Sequence, residues 1–97
     1  MPPLRVMTYN ILEGARDRLD VVAAVVREAD PDVLGVTEAN GFDDAKRMKQ
    51  VEAAFGMKGV LGRAASGFHG ALFAKPPWQV ESSGSEYYPF FHAARWA

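Results

Sequence analysis

The stretches LRVMTYNI (residues 4–11) and VLGVTE (residues 33–38) decide the fold of this chain. Both are short, mostly apolar runs of the kind that form strands buried on both faces. Between them, apolar residues recur at helical spacing over residues 18–29. Because a strand, a helix and a second strand in this order form a right-handed parallel crossover, we expect both strands to end at the same edge of one sheet.

The residues that close these strands, Asn10 and Glu38, are candidate metal ligands. Taken singly, an asparagine at a strand end is more often a turn-former, and a glutamate there is usually just solvated. As a pair, they occupy equivalent positions in a β–α–β unit, where open α/β sheets bind their ligands. Oxygen ligands of this kind suit Mg²⁺, so the pair predicts a magnesium site.

The first predicted helix covers residues 18–29, with Asp17 as its N-cap. Pro31 ends it, because the residue before a proline resists helical geometry. Its apolar stripe consists of Leu19, Val22, Val26 and Ala29, with Val25 beside it.

The second predicted helix covers residues 43–55. Asp43 and Asp44 suit its positive N-terminal end, and Gly56 suits the position after its last residue. Short strands are predicted over 57–61, 69–75 and 79–80, with a turn at Pro76-Pro77 and a polar loop over 81–86. The apolar face of this helix consists of Ala45, Met48, Val51, Ala54 and Phe55.

The composition limits the classes of function. The 97 residues make at most one small domain, and a net charge of −1 gives no general affinity for nucleic acid. The absence of cysteine excludes disulfides and thiolate metal sites. No signal peptide or membrane-length apolar run is visible, so we expect a cytoplasmic protein. The clustered cations Lys46, Arg47 and Lys49 are expected to form a solvated helix face.

Three sequence motifs, with the helix between the first two, carry a family resemblance. TYNILEG (residues 8–14), the helix after it and DPDVLGVTEAN (residues 30–40) resemble the N-terminal signature of the endonuclease/exonuclease/phosphatase superfamily. That superfamily includes DNase I-like nucleases, abasic-site endonucleases, inositol-polyphosphate phosphatases and bacterial sphingomyelinases. GFHGALFAKP (residues 67–76) is similar to a later strand of the family that ends in a basic residue and a proline. Thr37 departs from the pattern, because the family usually has Gln there.

The resemblance implies an α/β fold, a four-layer α/β/β/α sandwich of which residues 1–97 supply the truncated N-terminal part: one mixed sheet with two helices on one face. The sheet face that would meet the second sheet is then uncovered, and we expect it to favour self-association or a complementing chain. The aromatic residues Tyr87, Tyr88, Phe90, Phe91 and Trp96 are expected to be core, with base stacking as the alternative.

The resemblance also implies a function. Asn10 and Glu38 would be ligands, or near neighbours, of Mg²⁺ or Mn²⁺ in an enzyme that hydrolyses a phosphate ester in a nucleic acid, a phospholipid head group or a phosphorylated small molecule. In the family pattern His69 belongs to a structural strand, so a packing or hydrogen-bonding role is favoured over a general base or ligand.

The family's Gly-Asp-x-Asn segment and its later Asp-His pair are absent from these residues. We therefore expect no complete catalytic set and no activity from this chain alone. One alternative is a non-catalytic, truncated or degenerate member that binds a partner. Another is a small α/β binding protein with no metal site.

Overall fold

The computed structural model describes residues 3–80 in full and the backbone of residues 83–85, 89–91 and 94–96. The chain alternates strands and helices as far as residue 62, and the described residues after it form strands but no helix. The elements are β1 (Val6–Asn10), a 3-10 turn (Arg16–Arg18), α1 (Leu19–Ala29), β2 (Val33–Thr37), α2 (Ala45–Phe55), β3 (Lys58–Gly62), β4 (Gly70–Ala74), β5 (Trp78–Val80), β6 (Ser83–Ser85), β7 (Pro89–Phe91) and β8 (Ala94–Trp96).

The first four strands form one mixed sheet in the order β1-β2-β4-β3. β1 and β2 are parallel, and their register places Asn10 opposite Thr37. The β2–β4 and β4–β3 pairs are antiparallel. Residues of α1 and α2 share one buried cluster with a single face of these strands. The predicted α/β architecture, one mixed sheet with two helices on one face, is therefore confirmed.

Helix α1 is shorter and less buried than its sequence predicts. Val22 and Val26 are buried, but Val25 is 40% exposed and Ala29 also faces solvent. The prediction of Asp17 as the N-cap is wrong, because Asp17 lies within the 3-10 turn and Arg18 precedes the helix without a side-chain cap.

Helix α2 ends at Phe55 as its sequence predicts, but it begins at Ala45, two residues later than predicted, because Asp44 is its N-cap. The Asp44 side chain accepts hydrogen bonds from the backbone N–H groups of Lys46 (2.8 Å) and Arg47 (3.1 Å), which satisfies donors that every helix start leaves free. Gly56 ends the helix with a φ of 68°, a conformation that favours glycine. Val51 and Phe55 are buried, whereas Ala45 is exposed.

Phe73, on β4, lies at the centre of the core and is fully buried. Its ring makes edge-to-face contacts with Phe55 and Phe42, with centroids 5.1 and 6.4 Å apart. Gly59 on β3 lies opposite Phe73 in the register, and a Cβ there would approach the ring to 2.5 Å. The glycine therefore leaves the space that the ring occupies.

The other face of the sheet is covered unevenly. On β1, Val6 is 63% exposed, and Leu4 just before it is 44% exposed. Val33 and Ala74, which the register places on the same face, are buried, and β5 lies against β4 with Trp78 buried. The predicted uncovered face is thus confirmed only at the β1 edge.

The segment after β5 corrects one prediction. The polar stretch 81–86 was expected to be a loop, but Ser83–Ser85 forms a short strand paired with Pro89–Phe91, and Ala94–Trp96 pairs with β5. Tyr87 and Tyr88 lie outside the described residues, as do the side chains of Phe90, Phe91 and Trp96. In the part of the chain that the structure describes, no helix is long and apolar enough to cross a membrane.

Candidate metal site

The crossover brings Asn10 and Glu38 together at the carboxyl edge of the two parallel strands. The Asn10 side-chain amide Nδ2 donates a hydrogen bond of 2.6 Å to Glu38 Oε2. Asn10 Oδ1 accepts a bond of 3.0 Å from the backbone N–H of Leu12. The amide oxygen thus faces a donor and the amide nitrogen faces an acceptor, so both contacts agree on the orientation of the amide. The predicted pairing of these two residues is therefore present, with Asn10 offering its nitrogen to the carboxylate.

Two further contacts hold Glu38. Its Oε1 accepts a hydrogen bond of 3.2 Å from the backbone N–H of Glu13, and its carbonyl oxygen accepts one of 2.7 Å from Gly14. The residue itself has a φ of 57°, a conformation that costs energy outside glycine and is concentrated at functional sites. Both carboxylate oxygens are thus oriented by neutral donors, and each retains lone-pair capacity for another ligand.

The loop between β1 and α1 supplies those donors. Residues 12–16 all have positive φ values, from 45° to 75°, and Ile11 and Ala15 anchor the loop as buried side chains. Gly14 packs against the Asn40 backbone so closely that a Cβ would lie 2.0 Å from the Asn40 carbonyl oxygen. The Glu13-Gly14 break in the apolar pattern marks this loop in the sequence, but the pattern gives no indication that its amides hold Glu38.

Two arginines tie the same loop down. Arg18 Nη2 donates to the Leu12 carbonyl at 2.8 Å. Arg47, from α2, donates through Nη2 to the carbonyls of Gly14 (3.0 Å) and Arg16 (2.7 Å). The prediction of a solvated cationic face holds for Lys46 and Lys49, which are exposed, and is wrong for Arg47, which is half-buried.

His69 lies behind this edge and is only 7% exposed. Its Nδ1 accepts a 2.9 Å hydrogen bond from the Ala64 N–H, and its Nε2 lies 3.8 Å from Asp43 Oδ1. The His69 carbonyl accepts a bond from the N–H of Ala39, the residue after Glu38. The predicted packing and hydrogen-bonding role of His69 agrees with these contacts.

The residues at this edge fit a divalent cation through one carboxylate. Mg²⁺ commonly keeps several waters and takes one or two protein carboxylates, and Glu38 is half-buried and has no ion-pair partner within residues 3–80. Asn40 Oδ1, two residues further on, is buried without a hydrogen-bond partner. Asn10 is better placed to orient Glu38 than to bind a metal directly, because both polar atoms of its amide already make hydrogen bonds. Within residues 3–80, no group of three or more acidic, histidine or cysteine side chains could enclose a metal.

Comparison with known proteins supports the fold. No protein-family model matches the chain, and no curated protein does. A crystal structure of truncated Caenorhabditis elegans TDP2 matches with a TM-score of 0.61 and 21% identity, over 82% of this chain and 32% of that one. A second structure of TDP2 from C. elegans matches with a TM-score of 0.60 and 22% identity, over 82% and 25%. This chain thus spans between a quarter and a third of those structures, with which it shares its α/β fold.

Proposed function

We propose that this chain is the N-terminal part of a metal-dependent phosphoesterase domain of the endonuclease/exonuclease/phosphatase superfamily. The observation that carries the proposal is the Glu38 carboxylate, held on both oxygens by neutral donors at the carboxyl edge of a parallel β–α–β unit. The shared fold with TDP2, a tyrosyl-DNA phosphodiesterase, supports it. The sequence motifs at Asn10 and Glu38 point to the same superfamily.

In this proposal Glu38 is the anionic ligand of Mg²⁺ or Mn²⁺. Asn10 and the Glu13 N–H fix the rotamer of Glu38, so the carboxylate is already oriented at the sheet edge before a metal binds. A metal bound there would polarise a phosphate oxygen and stabilise the charge that develops on it. Because the amides that hold Glu38 carry no charge, they do not neutralise the carboxylate, and its negative charge is available to a metal.

The proposed substrate class is a phosphate ester. The name of TDP2 indicates a phosphodiester bond to DNA in that protein, and we extend only the phosphodiester to this chain. Nucleic acid, phospholipid head groups and phosphorylated small molecules remain the three candidate sources. No group in the described residues is assigned as the base that activates water, so the isolated chain is expected to bind metal and to hydrolyse nothing.

Manganese binding tests the proposal directly. Mn²⁺ is titrated into the 97-residue chain and followed by its electron paramagnetic resonance signal and by calorimetry. We expect one site that Glu38→Gln removes, because the substitution keeps the shape and hydrogen-bonding capacity but deletes the charge. Glu28→Gln, at an exposed glutamate of α1, is the matched control and should bind as the unmodified chain does. Equal affinity in all three chains would refute the proposal.

A second candidate function is partner binding through β1. The exposed Val6 lies on the edge strand β1 and the exposed Leu4 just before it, beside unpaired backbone groups in the described part of the chain, and such an edge is a template for another strand. We expect the chain to dimerise at high concentration. Sedimentation equilibrium of the unmodified chain and of Val6→Lys tests this, because a charge on the face should restore the monomer. A monomer at every concentration would exclude self-association.

A further inference from the structure

Arg47 lies outside the predicted metal site but is connected to it through the loop between β1 and α1. Its Nη2 donates to the carbonyls of Gly14 and Arg16, which lie 33 and 31 residues earlier in the chain. Its backbone N–H is already held by Asp44, the N-cap of α2. The side chain therefore fastens the loop to the first turn of a helix whose position is itself fixed by the core.

The loop is the kind of segment that needs such a fastening. Five consecutive residues with positive φ form a conformation that L-residues other than glycine adopt at a cost. Two of the amides in this run, those of Glu13 and Gly14, donate to the Glu38 side chain and backbone. Any relaxation of the run toward ordinary φ values would turn these amides away from Glu38.

We propose that Arg47 is a positioning residue for the metal site, and that it acts by holding the loop of residues 12–16 in the conformation that orients the Glu38 carboxylate. The metal in this inference comes from the proposed function, whereas the contacts of Arg47 and of the loop are those of the structure. Arg47 does not contact Glu38, so its influence runs from the guanidinium to the Gly14 and Arg16 carbonyls and from the Glu13 amide to Oε1.

The sign of the effect separates positioning from simple electrostatics. Removing a positive charge near a cation site should strengthen cation binding, because repulsion is relieved. Loss of positioning should weaken it, because partners that orient a ligand contribute roughly tenfold to a hundredfold in metal affinity. A weaker site in a variant that has lost a cation therefore cannot arise from charge alone.

The experiment compares Arg47→Gln with Lys46→Gln in the 97-residue chain. Both remove one charge from the same turn of α2, but the Lys46 side chain is exposed and makes no hydrogen bond within the described residues. Mn²⁺ affinity is measured as above, and amide hydrogen exchange is followed at Glu13 and Gly14. We expect Arg47→Gln to weaken Mn²⁺ binding roughly tenfold and to accelerate exchange at both amides about tenfold, as for one lost hydrogen bond. Lys46→Gln should bind Mn²⁺ equally or more tightly, with unchanged exchange.

Unchanged or tighter Mn²⁺ binding in Arg47→Gln, with Glu13 and Gly14 still protected, would overturn the inference. If the unmodified chain binds no Mn²⁺, the proposed function fails, and the exchange rates alone decide whether Arg47 orients Glu38. Should Arg47→Gln not fold, Arg47→Lys takes its place. The shorter lysine cannot reach both carbonyls, so we expect a loss of roughly twofold to tenfold, and full affinity would count against the inference.

Discussion

The two ends of the parallel pair β1–β2 each carry a carboxylate at the sheet edge, but they hold it in different ways. At the amino end, Asp30 lies 2.6 Å from Lys75 Nζ and 3.9 Å from Arg5. At the carboxyl end, Glu38 is held by the Asn10 amide and the Glu13 N–H, and within residues 3–80 no cation pairs with it. One carboxylate is neutralised by cations and the other is oriented by dipoles.

This difference separates a structural carboxylate from a candidate ligand. A carboxylate with a cation at hydrogen-bonding distance gains little from a metal ion, because the metal would have to displace that cation. A carboxylate held by neutral donors keeps its full charge and loses its conformational freedom before a ligand arrives. The contrast predicts that the carboxyl edge will respond to metal ions and the amino edge to acid.

We expect the largest difference between the two edges in the cost of adding a Cβ to the backbone, at Gly14 and at Gly56. Both have positive φ, but a Cβ at Gly14 would meet the Asn40 carbonyl at 2.0 Å, whereas one at Gly56 would only touch the Arg27 guanidinium at 3.5 Å. We expect Gly14→Ala to lower the free energy of unfolding by about 3 to 4 kcal/mol, from backbone strain and overpacking together. Gly56→Ala should cost only about 1 to 2 kcal/mol, the strain of a left-handed L-residue. Urea denaturation measures both, and equal costs would show that the loop yields easily at Gly14.

Removing the charge of each carboxylate in turn tests the comparison itself. At a hundredfold excess of Mn²⁺ over its dissociation constant, a single site stabilises the folded chain by about 2.7 kcal/mol. Glu38→Gln should abolish that stabilisation, and Asp30→Asn should leave it intact while weakening the metal-free protein. Thermal unfolding with and without Mn²⁺ reports both quantities. If Asp30→Asn removed the stabilisation by Mn²⁺, the cation would bind at the amino edge, which would contradict the comparison.

The amide of Asn10 should have a smaller effect. Asn10→Ala leaves Glu38 Oε2 without its 2.6 Å donor, so we expect roughly tenfold weaker Mn²⁺ binding through loss of orientation. Thr8→Ala, two residues earlier on the same exposed face of β1, is the control and should change nothing. If Asn10→Ala binds Mn²⁺ as tightly as the unmodified chain, the amide does not orient the ligand.

Local sequence predicts the framework well where local physics decides it. The apolar runs of β1 and β2 predicted a parallel pair, so Asn10 and Glu38 could be placed together from their positions in the β–α–β unit. The prediction that both strands are buried on both faces is wrong for β1, which is an edge strand with one exposed face. Asp44 was predictable at the start of α2 because an N-cap bonds amides only two and three residues away. The metal role of Glu38 stays a prediction.

The loop that completes the site could not be predicted in the same way. Asp17 looked like an N-cap, but the run of positive φ values before it leads into a 3-10 turn, a conformation that no local propensity favours. Arg47 resembled one cation of a solvated face, because its partners lie more than thirty residues away. Long-range bonds to backbone carbonyls leave no periodic trace in a sequence.

The smallest predicted effect concerns the amino edge and its response to acid. The Lys75 hydrogen bond and charge, with a further contribution from Arg5, lower the pKa of Asp30 below its ordinary value of 3.8. A lowered folded-state pKa contributes stability that is present above the unfolded value and is lost as the pH falls through the folded value. Lys75→Met should therefore lower the unfolding midpoint slightly at neutral pH.

That deficit should shrink below about pH 3.8, where the unfolded-state carboxyl and then the folded one become protonated. Thermal unfolding of the unmodified chain and of Lys75→Met across this range tests it, with Lys49→Met, at an exposed cation of α2, as control. A deficit that persists unchanged into acid would mean that Lys75 stabilises the edge by packing its stem. The amino edge would then no longer be the charge-neutralised counterpart of Glu38, and the contrast would rest on the metal response alone.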